Sequence, residues 1–146
     1  MAQTSTTLLS AKSHIANVTG ADISFEATSG VYKIKSTSTS LSGFNVRDVI
    51  AVTGTTNNNK SFTVKTEVSA NELVVEEIAV TENADNSTVT TLDHVGFVSD
   101  KQKGDGYYSQ PDGVHTVAYQ IDTSVPVATT IKMQGSLATT PTEDDW

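Results

Sequence analysis

The chain has 146 residues, no cysteine, and a formal charge of −8 from 17 acidic against 9 basic side chains. The missing thiols exclude disulfides and thiolate metal sites, and the acidic balance repels phosphate backbones and anionic lipid, so no nucleic acid and no membrane surface is expected as a partner. Its 23 Thr, 16 Ser and 17 Val make up more than a third of the chain and favour pleated backbone and polar turns, which points to an all-β protein.

Residues 1–20 are rich in Thr, Ser and Ala. They lack a basic start followed by an apolar segment, so no secretion signal is expected and the protein is expected to be made in a cytoplasm. The loose spacing of Leu8, Leu9, Ile15 and Val18 is compatible with a short helix over Leu8 to Asn17 and equally with an extended arm that docks on something. Ile23, Phe25 and Ala27 alternate with Ser24 and Glu26, and Tyr32 and Ile34 with Lys33 and Lys35; Ser29-Gly30 between them predicts a hairpin. The low-complexity run Ser36 to Ser40 reads as a polar loop or solvated edge.

The chain is organised around Ser42 to Val80. Val46, Asp48, Ile50 and Val52 share one face of an extended run, and Val49 and Ala51 make the other face apolar, so this strand is expected to be covered on both sides. Phe62, Val64, Thr66 and Val68 share a face of the next run, opposite Ser61, Thr63, Lys65 and Glu67. Leu73, Val74, Val75, Ile78 and Val80 form a third. A loop at Gly54–Asn59 and a short hairpin at Ser69–Glu72 separate them, which predicts a three-stranded antiparallel meander.

After a polar break at Asn83 to Ser87, Val89, Thr91, Leu92 and Val95 to Val98 predict one or two short strands. Asp100 to Gly113 is a Gly-rich loop carrying Tyr107 and Tyr108. His115, Val117, Tyr119 and Ile121 alternate in one strand, and Ile131, Met133 and Leu137 in another, with Pro126 in the loop between. The total of eight to nine short strands predicts an antiparallel β-sandwich of jelly-roll or Ig-like type. Its boundaries are an amino-terminal arm, 1–20, and a sandwich domain, 21–146; the same strands also divide as a small meander barrel, 21–98, with a terminal hairpin, 99–146.

No catalytic constellation emerges. His14, His94 and His115 have no metal-ligand spacing, and no serine lies in a Gly-x-Ser-x-Gly elbow. Gly104-Asp105-Gly106 and Glu143-Asp144-Asp145 lack the spaced carboxylates of a strong calcium loop. Neither a cofactor nor a resident metal is expected, and a carboxylate pair for glycoside hydrolysis is a spatial fact that spacing does not supply. The sequons at Asn17, Asn59 and Asn86 are unsurprising in so Ser/Thr-rich a chain. Tyr107 and Tyr108 carry apolar area with a polar handle and are candidates for glycan or partner contact, as is Trp146, the one tryptophan.

Two stretches carry a resemblance. Gly43-Phe44-Asn-Val46-Arg-Asp48-Val-Ile50-Ala-Val52-Thr-Gly54, with Asn59-Lys-Ser-Phe62-Thr-Val64 and Leu73-Val-Val75, resembles a module of tailed-bacteriophage structural proteins. That pattern has a glycine where Arg47 stands, so a less tight turn into the strand is expected here. Gly104-Asp-Gly-Tyr-Tyr108 through His115 to the end at Trp146 is similar to carboxy-terminal segments of marine and cyanobacterial phage virion proteins. In those the chain continues past the tryptophan into another strand, which implies a last sheet completed by a neighbouring subunit or a processed fragment.

The resemblance implies a structural rather than catalytic role. It suggests an outer head-decoration or capsid-stabilising protein located in the virion, self-assembling as a homo-oligomer and binding other virion proteins such as the major capsid or tail proteins. The rival expectation is a tail-fibre or baseplate module that binds a host receptor or glycan through Tyr107 and Tyr108.

Overall fold

The computed structural model describes Thr7, Leu8, residues 10–100, Ala118, Gln120 and residues 130–134. The chain divides into two compact units, Met1–Asp100 and Lys101–Trp146. The first carries seven strands: β1 (Val18–Gly20), β2 (Ser24–Thr28), β3 (Val31–Lys35), β4 (Asp48–Thr53), β5 (Ser61–Ser69), β6 (Glu72–Val75) and β7 (Thr90–Phe97). They form one antiparallel sheet in the order β1-β7-β4-β5-β6-β3-β2. The protein is all-β, and among the described residues there is no helix.

The predicted meander is the middle of this sheet, β4-β5-β6. Its edge strands are consecutive in sequence, joined by Ala21, Asp22 and Ile23 alone. Four backbone steps span at most ~14 Å, whereas the outer strands of a flat seven-stranded sheet lie about 29 Å apart at ~4.8 Å per strand. The sheet therefore curls on itself, and its two halves face each other across one core. Phe25 of β2 and Phe62 of β5 meet there with ring centroids 5.9 Å apart. Ile34, Leu41, Phe44, Ile50, Leu73 and Leu92 complete the fully buried centre.

The turns follow their residues. Ser29 and Gly30 both take positive φ (53° and 76°), the two-residue turn whose twist matches a hairpin. Ser36 to Ser40 is a polar loop that ties down the corner between β1 and β2. The Thr37, Ser38 and Thr39 amides and hydroxyls all donate to the Asp22 carboxylate in that corner. These bonds, led by the Thr39 hydroxyl, hold Asp22 far below the usual carboxylate range.

Several expectations change. β4 buries Asp48, Ile50 and Val52, but Val46 lies exposed in the preceding turn, and Val49 and Ala51 are only half-buried. On β5 the alternation holds for Phe62 and Val64 and then fails: Val68 is 54% exposed. Irregularities between Val64 and Thr66 and between Glu67 and Ser69 insert extra residues and reset the parity. Thr63, on the supposed outer face, is buried because the Glu77 carboxylate accepts both its amide and its hydroxyl, at 2.6 and 2.7 Å.

The turn into β4 is not loosened by Arg47. Asp48 N–H donates to the Asn45 carbonyl at 3.1 Å, and Arg47 takes φ 76°, the left-handed conformation glycine adopts freely. Its guanidinium meets Glu76 at 3.2 Å and Asp100 at 3.4 Å, which offsets the strain.

The run after β6 is not a strand but a strap. Ile78 and Val80 are exposed, Ala79 is buried, and Glu82 exchanges two backbone hydrogen bonds with Phe25. The strap thus covers the free edge of β2. Asn58, fully buried in the β4–β5 loop, pins it: the side-chain amide donates to the Val80 carbonyl (3.0 Å) and Glu82 (2.9 Å), and its oxygen accepts the Val80 amide (2.9 Å). Asn58→Ala removes these three hydrogen bonds, two of them to the Val80 backbone, and is expected to cost about 2–3 kcal/mol. The check is a lower urea midpoint together with faster exchange of the Val80 amide.

Of the two readings of the arm, helical or extended, residues 10–17 are not helical and run irregularly until Val18 joins β7. The Asp100 amide donates to the Leu8 carbonyl at 3.2 Å. In the second unit, residues 131–134 are in no strand, with Ile131 53% and Met133 77% exposed. Alternation decides which face a strand would bury, but it does not supply a partner strand. The other expectations beyond Asp100 lie outside the described residues.

Candidate functional site

Polar side chains converge where the amino-terminal arm crosses β4 and β7. Thr90, Leu92 and His94 of β7 point into the core by alternation, as do Asp48, Ile50 and Val52 of β4. Ile50 pairs with His94 and Asp48 with Phe97, with an irregularity at Val49/Ile50 that accommodates the extra β7 residue. The result is a buried carboxylate and a buried imidazole in the sheet, beside the arm.

The arm supplies the rest. The Lys12 ammonium lies 3.6 Å from Asp48 Oδ1 and donates to the Val46 carbonyl at 3.3 Å, with the Phe97 ring centroid 5.9 Å away. His14 sits edge-on to His94 with centroids 5.0 Å apart, and His94 contacts Phe97 at 4.6 Å. The Ile15 amide donates a long, 3.5 Å hydrogen bond to His94 Nδ1. Asp48 Oδ2 accepts the Asn45 amide at 2.7 Å. Asp48 Oδ1 and His94 Nε2 are buried without a hydrogen-bond partner. An open depression of about 420 Å³ is lined by the arm, Asn45, Asp48 and Phe97.

Burial pushes the His94 pKa below its ordinary value; the Asp48 carboxylate opposes this, and His14 reinforces it. The neutral ring with its lone pair on Nδ1 matches the bond from Ile15. Among the described residues no group of three His, Asp or Glu side chains is placed to hold a metal ion. The Lys12 ammonium beside Asp48 also repels a cation. The cluster contains no nucleophile paired with a base; what it does is hold the arm.

Of the residues singled out in the sequence, the structure brings His14 and His94 together. Tyr107, Tyr108, His115, Trp146 and both acidic segments lie outside the described residues. Asn17, Asn59 and Asn86 are exposed, and the Asn59 side chain is engaged in three hydrogen bonds with Thr55. Asp48, Lys12 and Phe97 join the site without any sequence motif to announce them. The available signal is parity: Asp48 shares the buried face of Ile50, and His94 that of Leu92. Among the described residues no helix is long and apolar enough to cross a membrane. Compared with protein-family models, with curated proteins and with solved structures, the chain matches none.

Proposed function

We propose that the chain is a virion structural protein of a tailed phage, an outer head-decoration protein that stabilises the capsid by non-covalent assembly. The observation that carries this reading is the fate of the phage-like stretch. Phe44, Ile50, Val52, Phe62, Val64, Leu73 and Val75 are all buried in the core of the first unit. The shared pattern thus builds a scaffold rather than a reaction centre, which suits a module reused among structural proteins and a protein that is not an enzyme. The arm and the acidic surface fit assembly on a protein lattice in the same way.

Assembly through open sheet edges has less support. The strap closes the edge of β2, and β1 is only three residues long, both common ways of blunting an edge. Contact through exposed side chains such as Ile78, 60% accessible on the strap, is the better route.

Immunogold electron microscopy on a lysate from producing cells tests the proposal. Label spread evenly over icosahedral heads is the expected result. Label confined to a tail tip or fibre would transfer the weight to the receptor-binding reading and to Tyr107 and Tyr108. Unlabelled particles would remove both.

A further inference from the structure

We propose that His94 is a proton-operated latch, and that its protonation releases residues 10–17 of the amino-terminal arm from the sheet. The inference rests on the arm socket alone and does not depend on the virion reading.

The latch follows from how His94 is used. Its ring is 2% exposed, and Nδ1 accepts the Ile15 amide, which places the ring proton on the partnerless Nε2. A second proton must go to Nδ1. It would turn the acceptor that holds the arm into a donor facing another donor, and the bond would be lost.

The charge that arrives meets groups from each side. Lys12 and His14 come from the arm and oppose it; Asp48 on β4 and Asp93 on β7 favour it. Asp48 is already engaged, by the Asn45 amide at Oδ2 and by the Lys12 ammonium 3.6 Å from Oδ1. With the arm in place the cation is therefore buried, close to two basic groups, and offered a carboxylate shared with Lys12. Lifting the arm removes Lys12 and His14, admits water to the ring, and frees Asp48 Oδ1 for the imidazolium. The proton thus binds the released state better than the docked one, which is the differential affinity a switch requires.

The sign is fixed by that difference. The docked pKa is depressed, so arm docking is at full strength above the ordinary histidine value of about 6.5. It weakens as the pH falls, by up to about tenfold in the docking constant per pH unit, until the docked pKa is passed.

The chain has no cysteine, so Ser10→Cys, at an exposed position, takes a single fluorescent label in the full chain. Its anisotropy is expected to be constant above about pH 7 and to fall reversibly as the pH drops below about 6.5, with far-ultraviolet circular dichroism unchanged. His94→Asn, which keeps a neutral acceptor and does not titrate, should hold the arm throughout this range. His14→Asn should leave the transition in place.

An anisotropy independent of pH would overturn the proposal. So would a transition that persists in His94→Asn or disappears in His14→Asn. If His94→Asn does not fold, an NMR titration of the His94 ring in the labelled parent decides. A midpoint coincident with the anisotropy change supports the latch, and a separate midpoint overturns it.

Discussion

Replacing Gly54 by alanine is expected to remove a large share of the first unit's stability margin, by about 3–5 kcal/mol, from two additive causes. Gly54 follows β4 with φ 83°, a conformation in which any Cβ is strained. The same Cβ would sit under 3.0 Å from the Val89 carbonyl oxygen and 3.3 Å from Thr90 Cα. Both obstacles are backbone at the start of β7, so no side chain can swing away. Relief would need β7 to move off β4, its partner over six registered positions. Gly30→Ala separates the two causes: Gly30 has φ 76° but nothing within 4 Å of the added carbon, so it should cost only about 1 kcal/mol. Urea midpoints of the two variants measure the contrast, and near-equal losses would show that the close approach at Val89 carries no weight.

Phe62→Ala is expected to cost about 3–5 kcal/mol, a large share of a typical margin of roughly 5–15 kcal/mol. Phe62 is fully buried, pairs with Ile50 across β4 and β5, and packs its ring against Phe25 from the other side of the curl. Truncation opens a cavity where the two halves of the sheet meet, and the frame around it is backbone-paired and cannot collapse. The urea midpoint should fall with the slope unchanged, as befits a loss of stability without a change in the unfolding unit. A double-mutant cycle with Phe25→Ala should show a coupling of about 0.5–1.5 kcal/mol if the ring contact adds to simple burial. Full additivity would mean that the rings merely share a core.

Strands that pair with their neighbours in sequence are legible from that sequence. Ser29-Gly30 announces its own turn chemistry, and the alternation of β4 marks Asp48, Ile50 and Val52 as one buried face. Legibility stops where a distant partner decides. The irregularities in β5 depend on how β6 registers against it, so Val68 looks like a core residue and is not. An arginine in place of glycine at position 47 suggests a relaxed turn; instead the turn imposes its left-handed geometry on Arg47. The socket shows the same limit most clearly. His14 and His94 are 80 positions apart and meet only because β1 pairs with β7 and draws the arm across it. No local pattern encodes that pairing, since β1 contributes three residues to it.

The hydrogen bond from the Asp100 amide to the Leu8 carbonyl has a topological consequence. Leu8 and Asp100 bracket all seven strands, so the stretch between them is a loop closed at the neck. A module of this shape can be spliced into a surface loop of another protein with short joints and little entropic penalty, because the host's two cut ends need not separate to admit it. Evolutionary shuffling would then move the unit as a cassette, complete with its socket and strap, and leave the framework of the recipient undisturbed.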